Sequence, residues 1–126
     1  MPYWLLKTEP TDYSFADLLR DGETPWEGVT NPAAVNNLKA MKKGDQVMLY
    51  HTGKQKAVVG LAKVVHAQDG AVTIKPGRPL ARPITLAQIK QHQDLAAWPL
   101  VRIGRLSVVP VTATEWETVL QMERHP

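Results

Sequence analysis

Pro25-Trp26-Glu27-Gly28-Val29-Thr30-Asn31-Pro32-Ala33-Ala34-Val35-Asn36-Asn37 is the stretch on which the reading of this chain turns. Its second half is a helix start. Asn31 is a strong N-cap residue, and Pro32 falls at the first helical position, where its missing N–H costs nothing. Val35, Leu38 and Met41 then recur at threes as a narrow apolar face, and Lys42-Lys43-Gly44 predicts the helix end, with cations near the carbonyls and a glycine for a left-handed cap. The first half has neither helical nor strand pattern. A tryptophan on such a loop turns its ring either into the core or toward a ligand. The adjoining helix N-terminus, with its free N–H groups, favours anions such as phosphate.

Working outward, Tyr3 to Lys7 reads as a short strand with Trp4 and Leu6 on one face, broken by Thr8-Glu9-Pro10. Ser14-Phe15-Ala16-Asp17 resembles a capping box and opens a short helix with Phe15, Leu18 and Leu19 inward, closed by Asp21-Gly22. Beyond the central helix, Gln46 to Tyr50 is an apolar strand and His51 to Lys56 a polar, basic loop. Ala57 to His66 is a long strand in which Gly60 marks a bulge or a close backbone approach. Asp69-Gly70 signals a hairpin into the strand Ala71 to Lys75, and Pro76 to Pro83 is extended. Thr85-Leu86-Ala87-Gln88 caps a helix through about Gln93. Leu106 to Val111 is a β-branched strand, and Thr112-Ala113-Thr114-Glu115 caps a last helix that buries Trp116, Val119 and Leu120.

The pattern is therefore α+β: five or six short, mostly antiparallel strands in a small curled sheet or partly open barrel, with about four peripheral helices. No glycine-rich turns alternate with strands and helices, which argues against a Rossmann fold. The expected core is Trp4, Leu6, Leu18, Leu38, Val47, Leu49, Val59, Leu61, Val65, Ile74, Leu106, Val108, Trp116 and Leu120. At 126 residues the whole chain, 1–126, is expected to form one domain. No run approaches the ~20 apolar residues of a membrane span, and the absence of cysteine fits a reducing cytoplasm, so the expectation is a cytoplasmic monomer without membrane contact.

Charge is unevenly placed. Residues 1–30 hold six acids against Lys7 and Arg20, whereas residues 31–111 hold twelve Lys or Arg against Asp45, Asp69 and Asp94. Such a block suits a polyanion. Lys39, Lys42 and Lys43 fall on one predicted helix face, and Lys54 and Lys56 on the following loop, as candidate phosphate contacts.

The usual catalytic signatures are missing: there is no G-x-S-x-G, G-x-x-x-x-G-K, H-E-x-x-H or Cys nucleophile. The four histidines are scattered, so no metal or other cofactor is expected, and only Glu9 with His51 suggests an acid/base pair. Lys7, Thr8, Glu9, Trp26, Asn31, Asn36, Asn37, Tyr50 and His51 instead gather at strand ends and loops. A nucleobase outside a duplex is recognised by a flat apolar wall plus donors and acceptors on its edge. Trp26 can supply the wall; Asn31, Thr8, Lys7 and backbone groups can read the edge. A protein-interaction module, with these side chains hydrogen-bonded in the core, is the alternative.

Tyr3-Trp4-Leu5-x-Lys7-x-Glu9-Pro10, Pro25-Trp26-x-Gly28-Val29-x-Asn31, Asn37-Leu38-x-Ala40-Met41-Lys42-x-Gly44-Asp45 and Tyr50-His51-Thr52 resemble the EVE domain. So do Leu86-Ala87-Gln88-Ile89-Lys90 and Arg105-Leu106-Ser107-Val108-x-Pro110-Val111. The EVE domain belongs to the PUA-like superfamily and is related to YTH domains. The resemblance implies a PUA-like pseudo-barrel, no catalysis, and a pocket for a modified base, typically a modified cytosine flipped from DNA, with RNA modifications as the other possibility. It places Trp26 and Asn31 in the pocket, with Lys7, Thr8, Tyr50 and His51 near it; Val29, Asn36 and Asn37 of the same stretch are further candidate base-binding residues. Many members read Gly-Val-Arg-Asn-Tyr-Gln-Ala-Arg-Asn-Asn where this chain has Thr30, Pro32 and Val35 in place of the first Arg, the Tyr and the second Arg. The tight Asp69-Gly70 turn also replaces an insertion common in the family, which predicts a more open pocket.

Overall fold

A computed structural model of the chain describes residues 2–125. Six strands form one mixed sheet: β1 (Tyr3–Thr8), β2 (Thr24–Trp26), β3 (Gln46–His51), β4 (Ala57–Gln68), β5 (Ala71–Thr85) and β6 (Val108–Val111), in the order β2-β5-β4-β3-β1-β6. β1 and β3 run parallel, and every other pairing is antiparallel. Register shifts at Leu49/Tyr50 in the β3–β4 ladder, and three more between β4 and β5, curl the sheet into the half-barrel expected of a PUA-like fold. The helices are α1 (Phe15–Asp21), α2 (Pro32–Ala40), α3 (Leu86–Gln91), α4 (Pro99–Arg102) and α5 (Ala113–Arg124), with a single 3-10 turn at Gln93–Leu95.

Capping chemistry sets where the helices begin. Ser14, Thr85 and Thr112 each accept from the backbone N–H three residues on, and Asp17, Gln88 and Glu115 reach back to complete capping boxes. Asn31 Oδ1 accepts from Ala34 N at 3.1 Å with Pro32 at the first position. The hairpin at Asp69-Gly70 has φ of 51° and 88°, the two positive values that a tight right-twisting turn requires.

The core holds Trp4, Leu6, Leu18, Leu38, Val47, Leu49, Ile74, Leu106, Val108 and Trp116 as expected. Its long-strand members are different ones. β4 buries Ala57, Val58, Gly60, Ala62 and Val64, while Val59, Leu61 and Val65 are only half-buried on the other face. Both faces of Ala57-Val58-Val59-Gly60-Leu61-Ala62 are apolar, so local pattern does not fix which turns in. A distant contact does: Gly60 lies under the Phe15 ring, which leaves Lys63 exposed on the other face. Leu120 is half-buried too, as α5 turns Trp116 and Val119 fully inward instead.

The central helix also ends earlier than its sequence predicts. α2 stops at Ala40, with Met41 extended (φ −70°, ψ 146°) and buried. Asp45 explains the stop. Its buried carboxylate accepts from Lys42 N at 2.8 Å and from Trp4 Nε1 at 2.9 Å, so Lys42, Lys43 and Gly44 form a turn, not the last turn of a helix. Ala34 and Leu38 form the buried face of α2, and Val35 is half-buried. Three further differences are local. Trp26 belongs to an edge strand, α3 ends at Gln91, and β5 runs through the proline-rich segment, with Pro76 and Pro79 set opposite Ala62 and Gly60 at its irregularities.

Candidate functional site

A cavity of ≈490 Å³ opens at the C-terminal end of β1. That volume is within the ~300–1,000 Å³ range of small-ligand sites. Its walls come from four segments: Lys7, Thr8 and Glu9 at the end of β1, Asp12 and Tyr13 from the following loop, Thr24 to Asn31 from β2 and the entry to α2, and Ser107 from the chain leading into β6. Backbone pairing holds these segments in place. Lys7 N donates to Ser107 O at 3.0 Å, Thr8 Oγ1 to Tyr13 O at 2.7 Å, and Trp26 is registered against Val72 of β5. Gly28 has φ of 79°, a left-handed conformation that turns the chain from the edge strand toward the Asn31 cap.

The Trp26 ring is half-buried, packing partly on the core while lining the cavity. Asn31 is exposed at the lip; its Oδ1 accepts from Ala34 N, and its two Nδ2 protons are available to a ligand. Lys7 is half-buried: Nζ donates to Gly104 O at 3.0 Å and stands 5.7 Å from the Tyr50 ring centroid. Burial holds the Lys7 ammonium below its ordinary value, and burial likewise raises the Tyr50 phenol. The Tyr13 hydroxyl is also raised, chiefly by burial, and donates to Asp21 at 2.9 Å, which fixes its ring in the wall. Glu9, Asp12 and Glu27 make the mouth acidic against the single cation Lys7.

Of the residues expected from sequence, the cavity thus unites Lys7, Thr8, Trp26, Val29 and Asn31. Tyr50 and His51 lie behind it. His51 is the last residue of β3 and is buried: Nε2 accepts from Phe15 N at 3.1 Å, so Nδ1 carries the proton and donates to Gln55 Oε1 at 2.7 Å. With both ring nitrogens engaged and Glu9 held by Thr11 and Thr52, the suggested acid/base pair has no free proton acceptor on the histidine. Asn37 Nδ2 donates to Val108 O at 2.7 Å and ties α2 to β6, while Asn36 is exposed farther along the helix. Lys39 stands in the last turn of α2 but Lys42 and Lys43 lie in the turn beyond it, so the three do not share one helix face as predicted; Lys54 and Lys56 line a separate concavity. Tyr13, Asp12, Thr24, Thr30 and Ser107 escaped the sequence reading. Asp12 and Tyr13 follow β1 closely and are held through Thr8, Thr24 is placed by the β2–β5 pairing, and Ser107 is brought in from 100 positions away by its bond to Lys7 N.

Among the described residues, no helix is long and apolar enough to cross a membrane. A family model described as the EVE domain matches residues 2–122. Thymocyte nuclear protein 1 of Gallus gallus is 32% identical over 165 aligned positions, covering 96% of this chain and 68% of the relative. A protein of Agrobacterium tumefaciens superimposes with a TM-score of 0.94 at 33% identity, covering 100% of this chain and 97% of the other. The human THYN1 protein in complex with 5-methylcytosine-containing DNA superimposes with a TM-score of 0.93 at 26% identity, over 100% of this chain and 99% of that one.

Proposed function

This chain belongs to the EVE domain family, and from that premise we propose that it is a non-catalytic reader that takes a modified nucleobase, a modified cytosine of DNA, into the cavity beside Trp26. The observation that carries the reading is the partly buried Trp26 in the wall of a cavity that is also lined by groups able to address a base edge. Stacking on an aromatic ring contributes ~1–3 kcal/mol per base and tolerates any base. Selectivity must then come from the edge. In this reading Asn31 donates from Nδ2, Lys7 donates from Nζ, Thr8 and backbone groups complete the polar set, and Val29 meets an added methyl group. Tyr50 and His51 act from behind, one by packing under Lys7 and the other by holding α1.

The test is a titration with matched oligonucleotides carrying cytosine, 5-methylcytosine or hydroxymethylcytosine in DNA, and a modified base in RNA. Tighter binding of a modified cytosine than of its plain counterpart is expected. Preference for the RNA modification would move the substrate class, and equal binding of all modified and plain partners would overturn the reader.

A further inference from the structure

A second concavity, ≈430 Å³, is lined by Lys54, Gln55, Lys56, Thr85, Leu86, Ala87 and Lys90. Three lysines converge there and no carboxylate lines it. None of the three is in an ion pair among the described residues. Lys56 holds a left-handed φ of 44°, uncommon for a residue with a side chain.

The basin shares a wall with the base cavity. Thr52 N donates to Thr8 O at 2.9 Å and Thr52 Oγ1 to Glu9 Oε2 at 3.2 Å, and both acceptor residues line the cavity. Gly53 packs so tightly on that carboxylate that a Cβ would meet Glu9 Oε2 at 2.6 Å. On the other side of this wall, Leu86 N donates to Lys56 O at 2.8 Å, and Gln55 is held by His51. From Thr52 to Lys54 the chain spans at most ~7 Å. The two concavities differ in sign: Glu9, Asp12 and Glu27 surround the first, lysines the second.

We propose that Lys54, Lys56 and Lys90 hold backbone phosphates of the same nucleic-acid strand whose base enters the Trp26 cavity. The strand leaves the acidic mouth across the Thr52–Gln55 wall. The strand path rests on the base-pocket reading; the phosphate site does not. Lys90, on α3, becomes a contact residue that nothing near the base would suggest.

The experiment measures anisotropy of a labelled single strand with one 5-methylcytosine, and of its unmodified twin, against salt. Wild type is compared with the K54Q/K56Q/K90Q variant, whose melting temperature is checked alongside. The slope of log affinity against log salt should shrink by about 2, from ~0.7 per phosphate contact on a single strand, equally for both oligonucleotides. The ratio of modified to unmodified affinity should not change. An unchanged slope overturns the basin, as does equal competition by poly-glutamate, which would assign it to an acidic protein. A reduced slope with no preference in wild type keeps the phosphate site but overturns the pocket and the strand path. No binding of either oligonucleotide overturns both.

Discussion

Asn31 does two jobs in this account, and a pair of substitutions separates them. Its Oδ1 caps α2 through Ala34 N at 3.1 Å, leaving Nδ2 for the ligand. Asn31→Asp keeps an equivalent cap and adds a negative charge at the positive end of the helix, worth ~0.3–1 kcal/mol at an exposed site. Thermal stability should therefore hold or rise slightly. Binding should fall, because the donor becomes an acceptor in a cavity that already carries Glu9, Asp12 and Glu27. Losing one hydrogen bond and leaving its partner unpaired costs ~1–3 kcal/mol, roughly 5- to 150-fold in Kd. Asn31→Ala should lose about 1 kcal/mol of stability with the cap, and a comparable factor in binding. The assays are a thermal melt of each variant and a titration with the modified oligonucleotide. Wild-type affinity in Asn31→Asp, at unchanged stability, would refute a base-reading Nδ2.

Three residues test the frame around the site. Gly60→Ala places a methyl 2.4 Å from Phe15 Cε1 and 2.6 Å from Cζ, so the ring and α1 must shift; the expected loss is ~1–3 kcal/mol by denaturant unfolding. Glu123 is buried on α5, and the hydrogen bond from Arg78 is the main cause that holds its carboxyl below the usual range. Because the folded value is depressed, this stabilisation is present above the unfolded value and lost as pH falls through the folded one. Arg78→Gln should raise the acid-unfolding midpoint and cost ~1–3 kcal/mol at neutral pH, toward the lower end because the Arg78 side chain is 51% exposed. Identical acid limbs in the two proteins would remove the pair from the account.

What could be read from the sequence follows from how local each determinant is. The four N-caps at Ser14, Asn31, Thr85 and Thr112 and the Asp69-Gly70 hairpin are decided within four residues, and each forms as its residues dictate. The face of β4 was not legible, because it depends on Gly60 meeting Phe15 from 45 positions away in the chain. The end of α2 likewise depends on a distant partner. Lys42-Lys43-Gly44 is an adequate local stop, but Asp45, bound to Trp4 across 41 positions, sets another. At the site, Trp26, Val29 and Asn31 share one short segment, and Lys7 and Thr8 end a strand, so their grouping was visible. The apolar pattern of β3 ends at Tyr50 and assigns His51 to the loop, whereas the strand runs one residue farther and turns the imidazole inward. The approach of Ser107 depends on strand order, which no local pattern encodes.

The central claim is that a base stacks on Trp26, and the four tryptophans supply an internal comparison. Trp4 and Trp98 are buried, with Nε1 bound to Asp45 and to Pro110 O, and Trp116 is buried against Tyr3 at 4.7 Å between ring centroids. In isotope-labelled protein titrated with a 5-methylcytosine oligonucleotide, the account predicts that the Trp26 indole resonance moves strongly and saturates with binding. The indole resonances of Trp4, Trp98 and Trp116 should stay in place. Saturable binding that leaves the Trp26 resonance unmoved would contradict it.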